Sequence, residues 1–237
     1  MDKISEMGRE TSMKALILLS GGLDSSTCLA YAVDKFGAEN TMALSLYYAQ
    51  KHKRELKSAE GIAAYYGVKH IQFDVAQIFE GTKCSLIEGN DDVPDKSYAE
   101  QLQETDGQPV STYVPFRNGL FLSIAASIAI SNECEYIFYA AHRDDAAGNA
   151  YPDCSEQFNN AMTEAIKLGS GDKITVCDPF IDKTKADIVK LGTELKVPYE
   201  LTWSCYNGGE KPCGKCGTCI DRAKAFEING TRDPLEG

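Results

Sequence analysis

Ala15-Leu16-Ile17-Leu18-Leu19-Ser20-Gly21-Gly22-Leu23-Asp24-Ser25-Ser26 runs from five apolar residues into a turn of two glycines and three serines, and a helical pattern follows over residues 27–36. A short apolar strand that turns through glycine straight into a helix aims several backbone N–H groups at one spot, where the helix dipole adds positive potential. Such a spot attracts phosphate. A Walker loop separates its glycines by four residues and needs a Lys-Ser/Thr pair for the terminal phosphates. Here the glycines adjoin and no lysine follows, which disfavours GTPase-like and kinase-like use. A plain strand-to-helix turn capped by Ser25 is the competing reading; the complete set of glycines and serines in this context favours nucleotide binding.

Outward from this loop, apolar, β-branched or aromatic runs at 15–19, 42–48, 70–75, 136–140 and 174–177 are short enough for strands. Helical patterns lie between and beyond them at 27–36, 53–66, 117–131, 156–168 and 185–195. The alternation predicts an α/β fold, a five-stranded parallel sheet with helices on both faces, and a ligand crevice at the carboxyl ends of the strands, where the Ser20 loop sits. Residues 82–112 are polar, acidic and rich in Gly, Pro and Asp, so they read as an inserted loop that closes over the site or stays mobile. The expected organisation is one domain over 1–200 carrying this insert, and a small cysteine-bearing segment over 201–237. No internal repeat or low-complexity tract interrupts the pattern.

Lys and Arg number 24 against 35 Asp and Glu, a formal charge of -11. That balance argues against a broad electrostatic grip on nucleic acid, which rests on clustered basic residues, and favours a small substrate. The longest apolar stretch, 120–130, is broken by Ser123 and Ser127, so no membrane span is expected. The opening MDKISEMGRETS is polar and acidic, unlike a signal or transit peptide, and Met13 offers an alternative start. The expected location is the cytoplasm.

Nine cysteines without an export signal call for an explanation other than disulfides. Cys205, Cys213, Cys216 and Cys219 form C-x7-C-x2-C-x2-C, with Gly214 and Gly217 supplying tight turns. Four thiolates at this spacing suit tetrahedral Zn²⁺, and because the protein fills all four positions the ion would staple the segment and do no chemistry. An iron–sulfur cluster uses the same Cys₄ set, and free thiols are the third reading. Cys28, Cys84, Cys134, Cys154 and Cys177 are scattered and read mostly as small core residues.

The S-G-G-x-D-S pattern resembles the PP-loop of ATP pyrophosphatases, which split ATP between the α and β phosphates and leave AMP on the substrate. In that resemblance the Ser20, Ser25 and Ser26 hydroxyls and the Gly21 and Gly22 amides hold pyrophosphate, with Asp24 near the metal or the turn. Leu18, Leu19, Leu23, Thr27 and Cys28 flank the nucleotide. Further blocks resemble one PP-loop family, the 7-cyano-7-deazaguanine synthases. They are YAQKHKREL (48–56), VPFRNGLFLSIA (114–125), AHRDDAAGNAYPDC (141–154), PFIDKTKADIV (179–189) and TWSCYNGGEKPCGKCGTCIDR (202–222), in order along most of the chain. The resemblance implies an ATP-dependent ligase that converts 7-carboxy-7-deazaguanine and ammonia into the nitrile through an adenylated acid and an adenylated amide. It also implies a homodimer. Local spacing at Gly119 and at Gly148-Asn149 departs from the family pattern.

In-line attack at the α-phosphate builds charge on the departing pyrophosphate, so the loop donors are expected to be joined by Lys183 at its helix start and by Mg²⁺. Arg117 is expected to clamp phosphate or the substrate carboxylate, with Asn118 beside it or acting as an N-cap. Gln50 and His52 follow the second strand and should stand at the crevice. His142 and Asp145, past the fourth strand, are candidates for proton transfer. Tyr151 and Asp153 suit recognition of a planar base. No activating base can be placed beside Cys154, so it is not read as a nucleophile. Two other functions compete: a PP-loop sulfur transferase acting on tRNA, which needs a nucleophilic cysteine pair and a basic surface, and a zinc-ribbon adaptor, which leaves the Ser20 loop without a purpose.

Overall fold

The computed structural model describes residues 14–106 and 108–236; the reading of MDKISEMGRETS and Met13 falls outside them. Strand β1 (Ala15–Leu18) leads into helix α1 (Leu23–Phe36), β2 (Thr41–Tyr47) into α2 (Arg54–Tyr66), and β3 (Lys69–Asp74) into the insert, which holds α3 (Tyr98–Glu104). Then come α4 (Arg117–Ser131), β4 (Tyr136–Phe138), the single turn α5 (Arg143–Ala146), α6 (Glu156–Gly169), β5 (Thr175–Cys177), α7 (Lys185–Glu194) and α8 (Gly217–Ile228). All five strands are parallel, in the order β3-β2-β1-β4-β5. The chain therefore builds outward from β1 in one direction and returns to build from β4 in the other. Parallel sheets open a crevice where that reversal occurs.

Alternation along β1 divides the core. Ala15, Ile17 and Leu19 pack with Leu29 of α1, Ile62 of α2, Ile188 of α7 and Phe226 of α8, whereas Leu16 packs with Leu122, Ala125 and Ala129 of α4 and Ile166 of α6. Spacing of three and four residues along α4 puts its buried stripe on one side. Burial of each such leucine contributes about 1.5–3 kcal/mol. A third cluster joins the stretch after β3 to the cysteine segment: Phe79, Leu86, Ile87 and Val93 pack with Trp203, Cys205, Cys216 and Cys219 against Tyr48, the residue after β2.

Besides the single turn α5, helices α1, α3 and α8 differ from the expected pattern. Helix α1 starts at Leu23 and not at residue 27, so Asp24, Ser25 and Ser26 form its first turn. The insert contains α3, opened by a reciprocal cap in which Ser97 Oγ accepts from the Glu100 N–H at 3.3 Å and a Glu100 carboxylate oxygen accepts from the Ser97 N–H at 2.8 Å. Helix α8 occupies the end of the cysteine segment and is locked there by Arg222, whose Nε and Nη2 reach the two carboxylate oxygens of Asp233 at 2.6 and 2.9 Å. Among the described residues no helix is long and apolar enough to cross a membrane.

Candidate active site

A cleft of about 200 Å³ opens at the carboxyl ends of β1, β2 and β4. Its floor is the glycine–serine loop. Gly21 has φ +87°, and a Cβ there would overlap the Glu55 carbonyl of α2, so only glycine lets the loop lie against that helix. The serines then brace the turn: Ser20 and Ser25 hydroxyls are 2.9 Å apart, Ser20 Oγ accepts from the Gly22 N–H at 3.2 Å, and Ser25 Oγ accepts from the Ser20 N–H at 3.2 Å. The Ser26 N–H closes the first helical bond onto Gly22 O. The N–H groups of Leu23, Asp24 and Ser25 precede that bond and have no intrahelical acceptor, which makes this helix start an anion-facing surface.

Charges gather at its side. Asp24 Oδ2 lies 3.3 Å from Lys185 Nζ and 3.7 Å from His142 Nε2, and Asp145 Oδ2 lies 3.3 Å from the same imidazole nitrogen. Burial pushes the Asp24 carboxyl up, but the Lys185 ammonium and His142 outweigh it and hold the group below its ordinary value. Burial pulls the Lys185 ammonium down, and Asp24, Asp145 and Asp221 more than offset this, so it stays charged. Asp24 Oδ1, Ser26 Oγ and both His142 ring nitrogens are buried without a hydrogen-bond partner. Buried polar atoms are rarely left so, and their concentration here marks a place shaped for a polar guest.

The opposite wall comes from α4 and β2. Phe116, the residue before α4, is held at φ +55° with its ring over Gly119, where any side chain would collide with it, and edge-on to Phe158 at 5.8 Å. That bend aims Arg117 into the cleft, its guanidinium 5.5 Å from the Tyr48 ring centroid and 6.0 Å from that of Phe121. Glu55 of α2 also lines the cleft. Burial pushes its carboxyl from 4.5 up to about 7, against the pull of Arg117. Since the folded chain holds this proton more tightly than the unfolded chain, its contribution to stability is intact below about pH 4.5 and is lost as pH rises toward 7. Glu55→Gln is expected to flatten that part of the stability profile, read from urea midpoints at a series of pH values; parallel profiles in the two proteins would refute the assignment.

Insert and cysteine segment complete the rim. Tyr98 of α3 and Tyr206 both line the cleft, with their hydroxyls 2.9 Å apart. Behind Tyr206, the four sulfur atoms of Cys205, Cys213, Cys216 and Cys219 all lie within 4.8 Å of one another. Backbone N–H groups of Asn207 and Cys213 point at Cys205 Sγ, and those of Lys215 and Cys216 at Cys213 Sγ, at 3.3–3.4 Å. Such donors stabilise thiolates, and four clustered thiolates could hold a metal ion.

Of the residues expected at the site, Leu18, Leu19, Ser20, Gly22, Asp24, Ser25, Gln50, Arg117, Asn118 and Asp145 line the cleft. Lys183 does not. The Thr184–Asp187 cap starts α7 at Lys185, which turns Lys185 inward and leaves Lys183 exposed on the far side of the cap, its Nζ 2.9 Å from Asp182. Thr27 and Cys28 face the core beneath α1, where Thr27 Oγ1 meets Tyr199 OH at 2.9 Å, and Leu23 is buried there too. His52 lines a separate groove with Lys53, Arg54 and Lys57. Tyr151 and Asp153 are buried one layer back: Tyr151 OH bonds Thr112 Oγ1 at 2.6 Å, and Asp153 Oδ2 accepts from the Asn118 N–H at 2.9 Å, capping α4. Cys28, Cys84, Cys134, Cys154 and Cys177 are all buried, and Cys154 alone of the cysteines among the described residues lines the cleft. Burial and the neighbouring Asp145 and Asp153 raise its thiol well above the ordinary value, which disfavours the thiolate.

Known proteins share this chain's sequence and architecture. The 7-cyano-7-deazaguanine synthase of Archaeoglobus fulgidus is 45% identical over 224 residues, covering 94% of this chain and 90% of that protein. The protein of the same name from Thermoplasma acidophilum is 46% identical over 231 residues, covering 94% and 91%. Among solved structures, the U34-tRNA thiolase NcsA from Methanococcus maripaludis, determined with its 4Fe-4S cluster, matches at a TM-score of 0.52 and 15% identity, covering 95% of this chain and 68% of that one. That likeness is one of fold. The family model described as queuosine biosynthesis protein QueC matches residues 14–230, and the chain is an enzyme that belongs to this family.

Proposed function

We propose that the chain is an ATP-dependent ligase that converts 7-carboxy-7-deazaguanine and ammonia into 7-cyano-7-deazaguanine by two successive adenylations. The observation that carries this reading is the convergence of the serine loop, Lys185 and Arg117 on one cleft. A substrate carboxylate oxygen attacks the α-phosphorus, pyrophosphate departs, and ammonia then displaces AMP from the acyl carbon to give the amide. The amide oxygen attacks a second ATP in the same way, and loss of AMP and protons leaves the nitrile. Removing oxygen from an amide in water is uphill, and adenylation makes that oxygen part of a leaving group.

In this scheme the Ser20 and Ser25 hydroxyls, the N–H groups at the start of α1 and the Lys185 ammonium receive the charge that develops on pyrophosphate. Arg117 orients the carboxylate as a two-pronged donor. Tyr48, Phe121 and Tyr206 supply flat surfaces for a heterocycle. His142, Asp145 and Glu55 are the groups available to take protons from ammonia and the amide. Asp24, with Oδ1 buried and unpartnered, suits a Mg²⁺ ligand, and Mg²⁺ when bound there neutralises phosphate charge. Zn²⁺ fits the four sulfurs, where it would tie Cys205 to the 213–219 turn with no open coordination position. Nine cysteines outside any disulfide suit a reducing cytoplasm. The test is incubation of the purified chain with the acid, ¹⁵N-ammonium and ATP: mass spectrometry should find ¹⁵N in the nitrile, and absence of nitrile under saturating substrates would reject the reading.

A further inference from the structure

The stretch 202–206 that leads into the cysteine centre runs along the phosphate loop. The Trp203 N–H donates to the Gly21 carbonyl at 2.9 Å. Next to it, Ser204 Oγ accepts from the Leu23 N–H at 3.5 Å and from Arg222 Nη1 at 3.3 Å. Arg222 is fixed in place: it is buried, paired with both Asp233 oxygens, and donates also to Thr202 Oγ1 at 2.7 Å and Tyr199 O at 3.2 Å.

A serine hydroxyl has two acceptor lone pairs and one proton to give. Both of Ser204's neighbours are pure donors, because neither a backbone amide N–H nor a guanidinium carries an acceptor. They occupy the lone pairs, so the hydroxyl proton remains to be donated. Ser204 lines the cleft, and a Cβ placed at Gly22 would lie 3.3 Å from Ser20 Oγ and 3.9 Å from Ser204 Oγ, so the two hydroxyls flank the same point of the loop. We infer that Ser204 is a further binding residue of this site, donating its hydroxyl to a phosphoryl oxygen of the nucleotide held by the 20–26 loop. The assignment rests on reading that loop as a pyrophosphate grip. It makes the α8 arginine and the Leu23 amide the groups that fix the direction of the donation, and it gives the loop a donor from a segment about 180 residues away in sequence.

The test is isothermal titration of the full chain, metal-loaded, with inorganic pyrophosphate and Mg²⁺. Ser204→Ala is expected to weaken binding about tenfold, the worth of a hydrogen bond to a charged oxygen. Ser204→Thr should bind within about twofold of the parent and Ser204→Val about tenfold more weakly, because these two side chains share a shape and differ in the hydroxyl. That pair separates donation from packing, and metal content by elemental analysis should be unchanged in all three. If Ser20→Ala weakens pyrophosphate while the Thr and Val variants bind alike, the Ser204 assignment is overturned and the loop reading stands. If the parent chain fails to bind pyrophosphate at all, both are overturned.

Discussion

Lys185→Ala is expected to lower kcat by about 10³-fold, whereas Lys183→Ala, two residues away, should leave it within about twofold. The difference follows from one helix cap. Thr184 Oγ1 accepts from the Asp187 N–H at 3.2 Å and an Asp187 oxygen accepts from the Thr184 N–H at 2.9 Å, so α7 begins at Lys185 and its side chain enters the protein. The backbone N–H of Lys185 is anchored in turn on Asp144 Oδ2 at 2.9 Å. In the proposed reaction a buried ammonium 3.3 Å from Asp24 would face the charge that develops on the departing phosphoryl groups, while an exposed one beside Asp182 is screened by water. Removing Lys185 also takes the ammonium away from the Asp24 carboxylate and should destabilise the fold by about 3 kcal/mol, the low end for a broken buried pair because Asp24 keeps some solvent contact. Turnover is therefore measured well below the melting temperature of the variant. Equal losses in the two lysine variants would remove Lys185 from the mechanism.

Cys216→Ser is expected to release the metal, lower the melting temperature by about 10 °C, equivalent to about 3 kcal/mol for a chain of this size, and abolish detectable pyrophosphate binding. Cys216 is fully buried and stands at the start of α8, so loss of its thiolate loosens both the 213–219 turn and the helix that carries Arg222. Cys205 is the residue after Ser204, and the Trp203 N–H before it is bonded to Gly21 O; the cysteine cluster and the glycine–serine loop thus share one backbone segment. Scanning fluorimetry, elemental analysis and titration with pyrophosphate check the three effects separately. One zinc per chain and a colourless protein are expected, against the brown absorbance of an iron–sulfur cluster. A Cys216→Ser protein that keeps its metal and its melting temperature would contradict the staple.

The sheet was legible because its strands are short apolar runs separated by long helical patterns, and β1 through β5 fall at the expected places. The start of α1 was misplaced by four residues because Asp24, Ser25 and Ser26 are poor interior helix residues, yet they stabilise a first turn. Helix α3 was missed because it sits in polar sequence with no apolar stripe, although S-x-x-E at 97–100 is a start signal. Its Tyr98 reaches the cleft, a contact no local pattern encodes. At the site, the loop and Asp145 are legible from their positions after strands, and Arg117 from its place just before an apolar helix. Sequence reasoning names Lys183, just before the helix, and does not reach Lys185, its first residue; only the Thr184 cap shows which of the two lysines turns inward. Tyr151 and Asp153 belong to a motif beside the cleft, but their polar atoms are spent on Thr112 and Asn118.

In the proposed reaction ATP is cut between its α and β phosphates, and the cleft performs this twice on one substrate. The carboxylate has two oxygens and the nitrile has none. Supplying 7-carboxy-7-deazaguanine labelled with ¹⁸O at both carboxylate positions and analysing the nucleotide products by ³¹P NMR and mass spectrometry tests it directly. Two pyrophosphates and two AMP per nitrile are expected, each AMP carrying one ¹⁸O on its phosphate. Formation of ADP with inorganic phosphate, or unlabelled AMP with the ¹⁸O found in water, would contradict it.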